Sequence, residues 1–348
     1  MTKETFAHLS PNGYAGAMKR ATIKDVAKAA GVSVSVVSRT FSDGSVAAQT
    51  RERVREAARA LGYRPSQIAR GLVSSRTNTV TLVTGHMTDP FDAAFLEGLA
   101  EALAERSIRL VVAPASKQTG EAGGVFQALD DRSDAVVISA GTMPVEMSDA
   151  CVRAGLPVIL AGRFVDAPGI ESIAAENADG GRQAAELFLR TGCRRPAFYG
   201  LARPTFSDGE RGEGFRTAMK AEGLEPVMVR AATPDDQATY EAAVRFLSAA
   251  EHPDAVFCAT DRLAFGVVEA ARALGLRVPE DVSVIGFNNI PAAARRSYRL
   301  TTLDYPVRRV VAEISAMIDR RLADPLAPLA SRRIPVELVV RETTRETF

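Results

Sequence analysis

The sequence predicts two kinds of fold in tandem: a small all-α head built on a helix-turn-helix, and behind it an α/β domain of two doubly wound lobes. Three observations predict it. Two short helical periodicities meet at a glycine between Thr22 and Thr40. Basic charge is concentrated early: Lys19 to Arg76 holds twelve Lys/Arg against four Asp/Glu, a net of +8, whereas Thr77 to Phe348 holds thirty against thirty-seven, a net of −7. Beyond Thr77, apolar runs of strand length alternate with amphipathic stretches.

The first seventeen residues mix His, Ser, Pro, Asn and Gly without periodicity, so residues 1–18 are expected to be a disordered leader, with Met18 an alternative start. The head follows, over 19–64. Ile23, Val26, Ala27 and Ala30 recur at helical spacing, Thr22 and Asp25 have the capping-box form, and Gly31 permits the left-handed backbone that ends a helix. Ser33 then caps a second helix whose Val32, Val36 and Val37 pack back on the first. Ser35, Ser38 and Arg39 point the other way, and such a polar face suits a DNA groove: arginine can donate two parallel hydrogen bonds to a guanine edge. An ordinary helical hairpin carries the same pattern; the basic charge of this segment is what favours phosphate contacts.

A third helix is expected from Ala48 to Leu61, with Val54, Ala57, Ala58 and Leu61 inside and Arg51, Arg53, Arg55 and Arg59 mostly outside. Residues 65–78 form a linker whose helical potential is weak, since Gly71 costs about 1 kcal/mol against alanine and so short a helix nucleates poorly. It is expected to fold on DNA.

Candidate strands in the remainder are Val80 to Thr84, Arg109 to Ala113, Ala135 to Ser139, Pro157 to Leu160, Pro196 to Tyr199, Ala255 to Cys258, Val282 to Phe287 and a last one over roughly Ile334 to Val340. Helical stretches between them, such as Ala93 to Arg106, Gly180 to Arg190 and Leu263 to Leu274, imply parallel sheets covered on both faces. The expected lobes are 79–162 with 304–325, and 163–303 with 326–344. Ligands of open α/β sheets bind outside the carboxyl ends of the strands. Loop residues there include His86, Asp89, Phe91, Asp92, Arg163, Phe164, Ser207, Arg211, Thr260, Asp261, Asn288 and Asn289, a set suited to a polyhydroxylated small molecule, although any one of them could equally cap a loop.

The run from Thr22 through Leu72 resembles the headpiece and hinge of the lac/galactose repressor (LacI/GalR) family, through its D-V-A-x-x-A-G-V-S, V-S-R, T-R-x-R-V, L-G-Y-x-P and A-x-x-L elements. From about Thr79 to Thr344, the D-P-F, E-N-A-D-G-G, E-R-G-E-G-F, A-T-D-R-L-A-F-G, L-R-V-P-E-D-V-S-V-I-G-F-N-N and L-T-T-L elements resemble that family's effector domain, itself similar to periplasmic sugar-binding proteins. The resemblance implies that Val34, Ser35 and Arg39 read the major groove, with Thr22, Ser33 and Ser38 as further DNA contacts. It implies too that paired hinge helices enter the minor groove through Ser66, Ala69 and the wedge residue Leu72. It places Arg211, Thr260, Asp261 and Asn288 at the effector, and Phe91 and Asp92 on the loop that closes the cleft; Arg163 joins them as a loop residue.

The chain departs from the family pattern at Ser42, Ala47 and Ser66, which weakens caps and phosphate contacts. It departs again at Asp92, Thr260 and Asn288, which changes the donors and acceptors offered to a ligand and makes a purine less suitable than a sugar or sugar derivative. Arg211 leaves sugar acids and sugar phosphates open.

No nucleophile elbow, P-loop, zinc-protease or dinucleotide-binding motif is present, so no catalysis, no metal and no cofactor are expected. Cys151, Cys193 and Cys258 are too dispersed for a disulfide framework and are expected to be buried thiols. Without a membrane-length apolar run or an apolar leader, the expected location is the cytoplasm. The expected function is ligand-controlled, repressing occupancy of a palindromic double-stranded operator by a homodimer, with a sugar-binding protein lacking DNA activity as the alternative. The absence of a leucine heptad after the last strand points away from a coiled-coil tetramer.

Overall fold

The computed structural model describes residues 21–41, 44–64, 76–85, 90–114, 120–139, 146–165, 169–202, 204–231 and 235–345. Hinge positions Ser66, Ala69 and Leu72, and loop positions His86 and Asp89, lie outside them. The chain divides into two compact units, residues 1–77 and 78–348.

In the first unit, α1 (Ile23–Ala30), α2 (Val34–Phe41) and α3 (Ala48–Ala60) close on Val26, Ala27, Ala30, Val37, Val54 and Ala58. The capping box forms: the Asp25 N–H donates to the Thr22 hydroxyl at 3.4 Å, and the Thr22 N–H to the Asp25 carboxylate at 2.8 Å. Gly31 takes φ 63°, and this left-handed residue turns the chain into α2. Two expectations shift. Val36 is only half-buried, and Leu61 caps α3 at 42 % exposure instead of completing its inner stripe. The closing contact is made two residues later, where Tyr63 tilts against Phe41 with ring centroids 6.0 Å apart.

The second unit holds two six-stranded sheets. In chain order its elements are β1 (Thr79–Thr84), α4 (Pro90–Glu105), β2 (Arg109–Pro114), α5 (Gly120–Asp130), β3 (Ala135–Ile138), α6 (Glu146–Arg153), β4 (Val158–Ala161) and β5 (Ile170–Ala175). Then come α7 (Asn177–Arg190), β6 (Pro196–Gly200), α8 (Phe206–Ala221), β7 (Val227–Arg230), α9 (Asp236–Leu247), β8 (Ala255–Cys258), α10 (Asp261–Ala273) and β9 (Ser283–Asn288). The last are β10 (Thr301–Asp304), α11 (Val307–Ala323), β11 (Arg332–Ile334) and β12 (Glu337–Val339). Lobe 1 carries the sheet β11-β5-β4-β3-β1-β2, all parallel; lobe 2 carries β12-β10-β9-β8-β6-β7, parallel except where β12 runs against β10. The central strands β1, β3, β4, β5, β6, β8 and β9 are buried along their whole length, as strands covered by helices on both faces must be.

The passages between lobes differ from expectation. The first follows Ala175, not residue 162, because β5 belongs to the lobe 1 sheet. Its sequence, I-E-S-I-A-A, lies outside the expected strands, and its Glu171 and Ser172 are buried. Arg320 pairs with Glu171, the Ala330 N–H donates to it at 3.0 Å, and Ser172 exchanges hydrogen bonds with Val165 at 3.1 Å. The expected last strand is two short ones in different sheets. Pro335 separates them, lacking the N–H a continuous ladder needs, and moves the last passage from residue 325 to the Ile334–Glu337 break. Strands β7 and β10 had no counterpart in the expected set.

Cys151, Cys193 and Cys258 are free and buried, and burial pushes the Cys151 thiol up to about 11, which leaves it inert. Among the described residues no helix is long and apolar enough to cross a membrane.

Candidate DNA-reading helix and effector cleft

Helix α2 is held from below and open above. Val37 and Thr40 are buried against the head, while Val34, Ser35, Ser38 and Arg39 are exposed on its other side. Ser33 accepts the Val36 N–H at 3.4 Å as the cap, and its hydroxyl meets that of Ser35 at 2.8 Å. The Arg39 Nε donates to the Ser35 carbonyl at 3.3 Å, which lays the guanidinium back along the helix. Of the expected contacts, Thr22 and Ser33 therefore also hold helix ends, whereas Val34, Ser35, Ser38 and Arg39 form one exposed face. On α3, Arg51 donates to the Gly44 carbonyl at 3.1 Å and Arg59 pairs with Glu52 at 2.7 Å.

The cleft is built around Arg211. Its side chain is buried, Nε donates to Asn177 Oδ1 at 2.9 Å, Nη1 donates to the Ala259 carbonyl at 2.6 Å, and the guanidinium carbon lies 3.5 Å over the Phe287 ring. This places it between the ends of β8 and β9, beside Thr260 and Asn288. What brings it there is a close approach of α7 and α8: a Cβ at Gly181 would stand 2.3 Å from the Arg211 carbonyl oxygen, and one at Gly214 2.1 Å from that of Ala178. Both contacts are with backbone, which explains glycine in the E-N-A-D-G-G and E-R-G-E-G-F runs.

From Arg211 a polar chain crosses the lobes. Asn177 Nδ2 donates to Glu210 at 3.1 Å, Glu210 takes a two-pronged ion pair from Arg333 of lobe 1 at 2.8 and 3.0 Å, and Arg333 lies 4.5 Å over the Phe164 ring. The Glu210 carboxylate holds the Arg333 guanidinium above its ordinary pKa. A second link is the Ser207 hydroxyl, which donates to the Gly162 carbonyl at 2.7 Å. Arg163 is half-buried between these two interlobe contacts.

Thr260 caps α10, accepting the Leu263 N–H at 3.3 Å, and remains half-buried. Asp261 is 1 % exposed, accepting the Ile290 N–H at 2.8 Å and the Thr302 hydroxyl at 2.5 Å. These bonds tie α10 to the segment after β9 and to β10. Asn288 has φ 108° and Asn289 φ 52°, backbone that costs a side-chain-bearing residue energy and marks the end of β9 as held for a purpose. Asn289 donates to Asp304 at 2.9 Å and accepts from Arg341 at 2.7 Å. On lobe 1, Phe91 and Asp92 open α4, with the carboxylate in the first turn, where the helix dipole favours it. Phe91 stacks on Tyr305 with ring centroids 5.3 Å apart and 11° between planes.

The structure thus gathers Arg211, Thr260 and Asn288 at the strand ends of lobe 2 and sets Phe91 on the facing lobe. Asn177, Glu210, Phe287, Arg333 and Tyr305 were not anticipated as site residues. Asn177 and Glu210 sit inside the two glycine motifs, a signal of position without a signal of role; nothing local marks Arg333 or Tyr305. Fixed donors over an aromatic floor, with amides and a carboxylate around them, can order the hydroxyls of a small polar ligand.

Comparison with known proteins agrees. Residues 22–66 match bacterial regulatory proteins of the lacI family, and residues 185–344 match a periplasmic binding protein-like domain. The HTH-type transcriptional regulator CelR of Thermobifida fusca is 30 % identical over 342 residues, covering 93 % of this chain and 98 % of that protein. The ribose operon repressor of Halalkalibacterium halodurans is 27 % identical, covering 93 % and 97 %. Among solved structures, a CelR–cellobiose complex is similar with a TM-score of 0.69 and 28 % identity over 93 % of this chain and all of that one. The fold is shared with the lac repressor dimer bound to operator and the anti-inducer ONPF, at a TM-score of 0.85, 24 % identity, and coverage of 94 % and 99 %. With an exposed polar face on the second helix of the head, an interlobe cleft built on a buried arginine and a relative 30 % identical over 93 % of the chain, this protein belongs to the LacI family of bacterial regulatory proteins and is a DNA-binding transcription regulator controlled by a small-molecule effector.

Proposed function

We propose that the protein is a repressor that occupies a palindromic operator as a homodimer and is switched by a sugar or sugar derivative. In this reading residues 19–64 are the DNA head, 65–78 the hinge and 79–348 the effector and dimerisation domain. Val34, Ser35, Ser38 and Arg39 read the major groove, and Ser66, Ala69 and Leu72 act in the minor groove. The cleft ligand meets Arg211, Thr260, Asp261 and Asn288 from lobe 2 and Phe91, Asp92 and Arg163 from lobe 1.

The observation that carries the reading is the Arg211–Asn177–Glu210–Arg333 chain, because it joins the floor of the cleft to a strand of the opposite lobe. A ligand that binds one arrangement of the lobes better than another shifts their populations by that difference in affinity, and the same coupling acts on DNA affinity. Homodimerisation is supported by apolar groups left outside: Val112 on the edge strand β2 and Phe126 on α5 are 38 % and 57 % exposed. A surface hollow of about 300 Å³ is lined in part by Phe265 and Tyr298, which stack at 4.1 Å. One head reads a half-site, so two heads about a dyad call for a palindrome.

The test is selection of genomic fragments by the full-length protein at a stated salt concentration, with and without cell extract, beside a Leu72→Ala control. Enrichment of one palindrome by the native protein and its loss in the control is the expected result. No enrichment under either condition overturns the operator reading.

A further inference from the structure

Tyr305 is the first residue past the carboxyl end of β10, on the segment that takes the chain from lobe 2 into α11 of lobe 1. It is 5 % exposed, and its hydroxyl has no hydrogen-bond partner among the described residues. Its ring lies nearly parallel to that of Phe91 in lobe 1, and its hydroxyl is within electrostatic reach of the Arg211 guanidinium in lobe 2. Among the described residues two other buried polar atoms share this condition, Ser315 Oγ and Arg320 Nε, but both belong to α11, and Arg320 is already paired with Glu171 through Nη2.

A buried hydroxyl without a partner gives up its hydration for nothing in return, and native proteins keep few such groups. A phenylalanine would stack on Phe91 equally well. The hydroxyl is thus a deliberate polar group in the wall between the two halves of the cleft. Burial pushes its pKa upward, so near neutral pH it keeps its proton and can both donate and accept.

We infer that the Tyr305 hydroxyl is an effector contact, donating a hydrogen bond to an oxygen of a polyhydroxylated ligand held between Phe91 and Arg211. The ligand supplies the missing partner. Because Tyr305 stands on the 304–307 crossover, the bond also ties occupancy of the cleft to the segment that joins the lobes. This rests on the sugar-effector reading above and adds to it a residue that discriminates among sugars.

The test titrates full-length protein with cellobiose, D-ribose, D-galactose and D-glucose by calorimetry, then repeats the binder with Tyr305→Phe, which preserves the ring. The expected result is a crossing: Tyr305→Phe weakens the binder about tenfold, while its ligand-free melting temperature rises by about 2 °C on loss of the unpartnered hydroxyl. Wild type and Tyr305→Phe are expected to bind one monodeoxy analogue of that sugar equally. A binder unaffected by the substitution, or a variant that melts lower without ligand, overturns the inference and leaves the effector reading standing. A panel in which nothing binds the native protein overturns both.

Discussion

Helix α2 and the effector cleft treat charge in opposite ways. On α2 the proposed reading groups, Val34 to Arg39, lie within five positions of one another and are exposed, and the one described bond of the Arg39 side chain is to a carbonyl of its own helix. In the cleft, the polar groups come from residues as far apart as 177 and 333, and Arg211 is fixed by a side-chain oxygen, a main-chain oxygen and an aromatic face. An exposed arginine can swing to a base edge at little cost, since its hydration is replaced by the groove. A buried one has only the partners the fold provides. The first design tolerates substitution structurally and loses recognition alone; the second links recognition to stability.

Arg211→Ala breaks this contrast most severely. It strands Asn177 Oδ1 and the Ala259 carbonyl and empties the space over Phe287, so the second unit is expected to lose about 3 kcal/mol, read by urea unfolding. Response of operator binding to effector is expected to vanish. Unchanged stability would mean that water takes the guanidinium's place and that the cleft is as adaptable as the head.

Gly214→Ala probes the packing beneath. The new Cβ would meet the Ala178 carbonyl oxygen at 2.1 Å, a backbone atom that cannot rotate away. Parting α7 from α8 is expected to cost roughly 2–3 kcal/mol, visible as a lower melting temperature, with weaker effector binding because Arg211 moves with α8. An alanine accepted without loss would show that the two helices have room to separate.

These dependences explain what could be read in advance. The head was legible almost throughout, because a capping box, a left-handed glycine and a valine stripe act within one or two helical turns. Of its two misread residues, Val36 is only half-buried, and Leu61 sits at the C-cap of α3, two residues before Tyr63 meets Phe41. In the cleft, Arg211, Thr260 and Asn288 were candidates from the family's motifs and their place after strands, although Arg211 lies within α8. Arg333 and Tyr305 were not, since their importance comes from partners more than ninety residues away. Strand β5 was hidden for the same reason: Glu171 reads as solvent-facing until Arg320, 149 residues on, is placed beside it. Asp261 could be placed by position, but its bonds to Ile290 and Thr302, 29 and 41 residues on, could not.

On α2, Arg39→Ala is expected to weaken operator binding by about 1–3 kcal/mol and relax the preference at a single base pair, measured by binding to a set of single-position operator variants. Stability of the head should change little, because Arg39 is exposed and lies outside its core. A uniform loss across all variants would instead make Arg39 a phosphate contact.

The smallest effect expected concerns the two helix starts within the head. α1 opens on a complete capping box, whereas α3 opens on Ala47, whose φ of −54° and ψ of 139° lie outside the helix and whose side chain offers nothing to the first-turn amides. Those amides are orphaned by geometry, and a hydroxyl at Ala47 is placed to accept from one of them. Ala47→Ser is therefore expected to stabilise the head by about 0.5–1 kcal/mol, seen as slower amide exchange in the first turn of α3 of the full-length protein, without altering which operator it selects. Equal exchange rates would show that Arg51, which already bonds the Gly44 carbonyl before the helix, holds this end by itself.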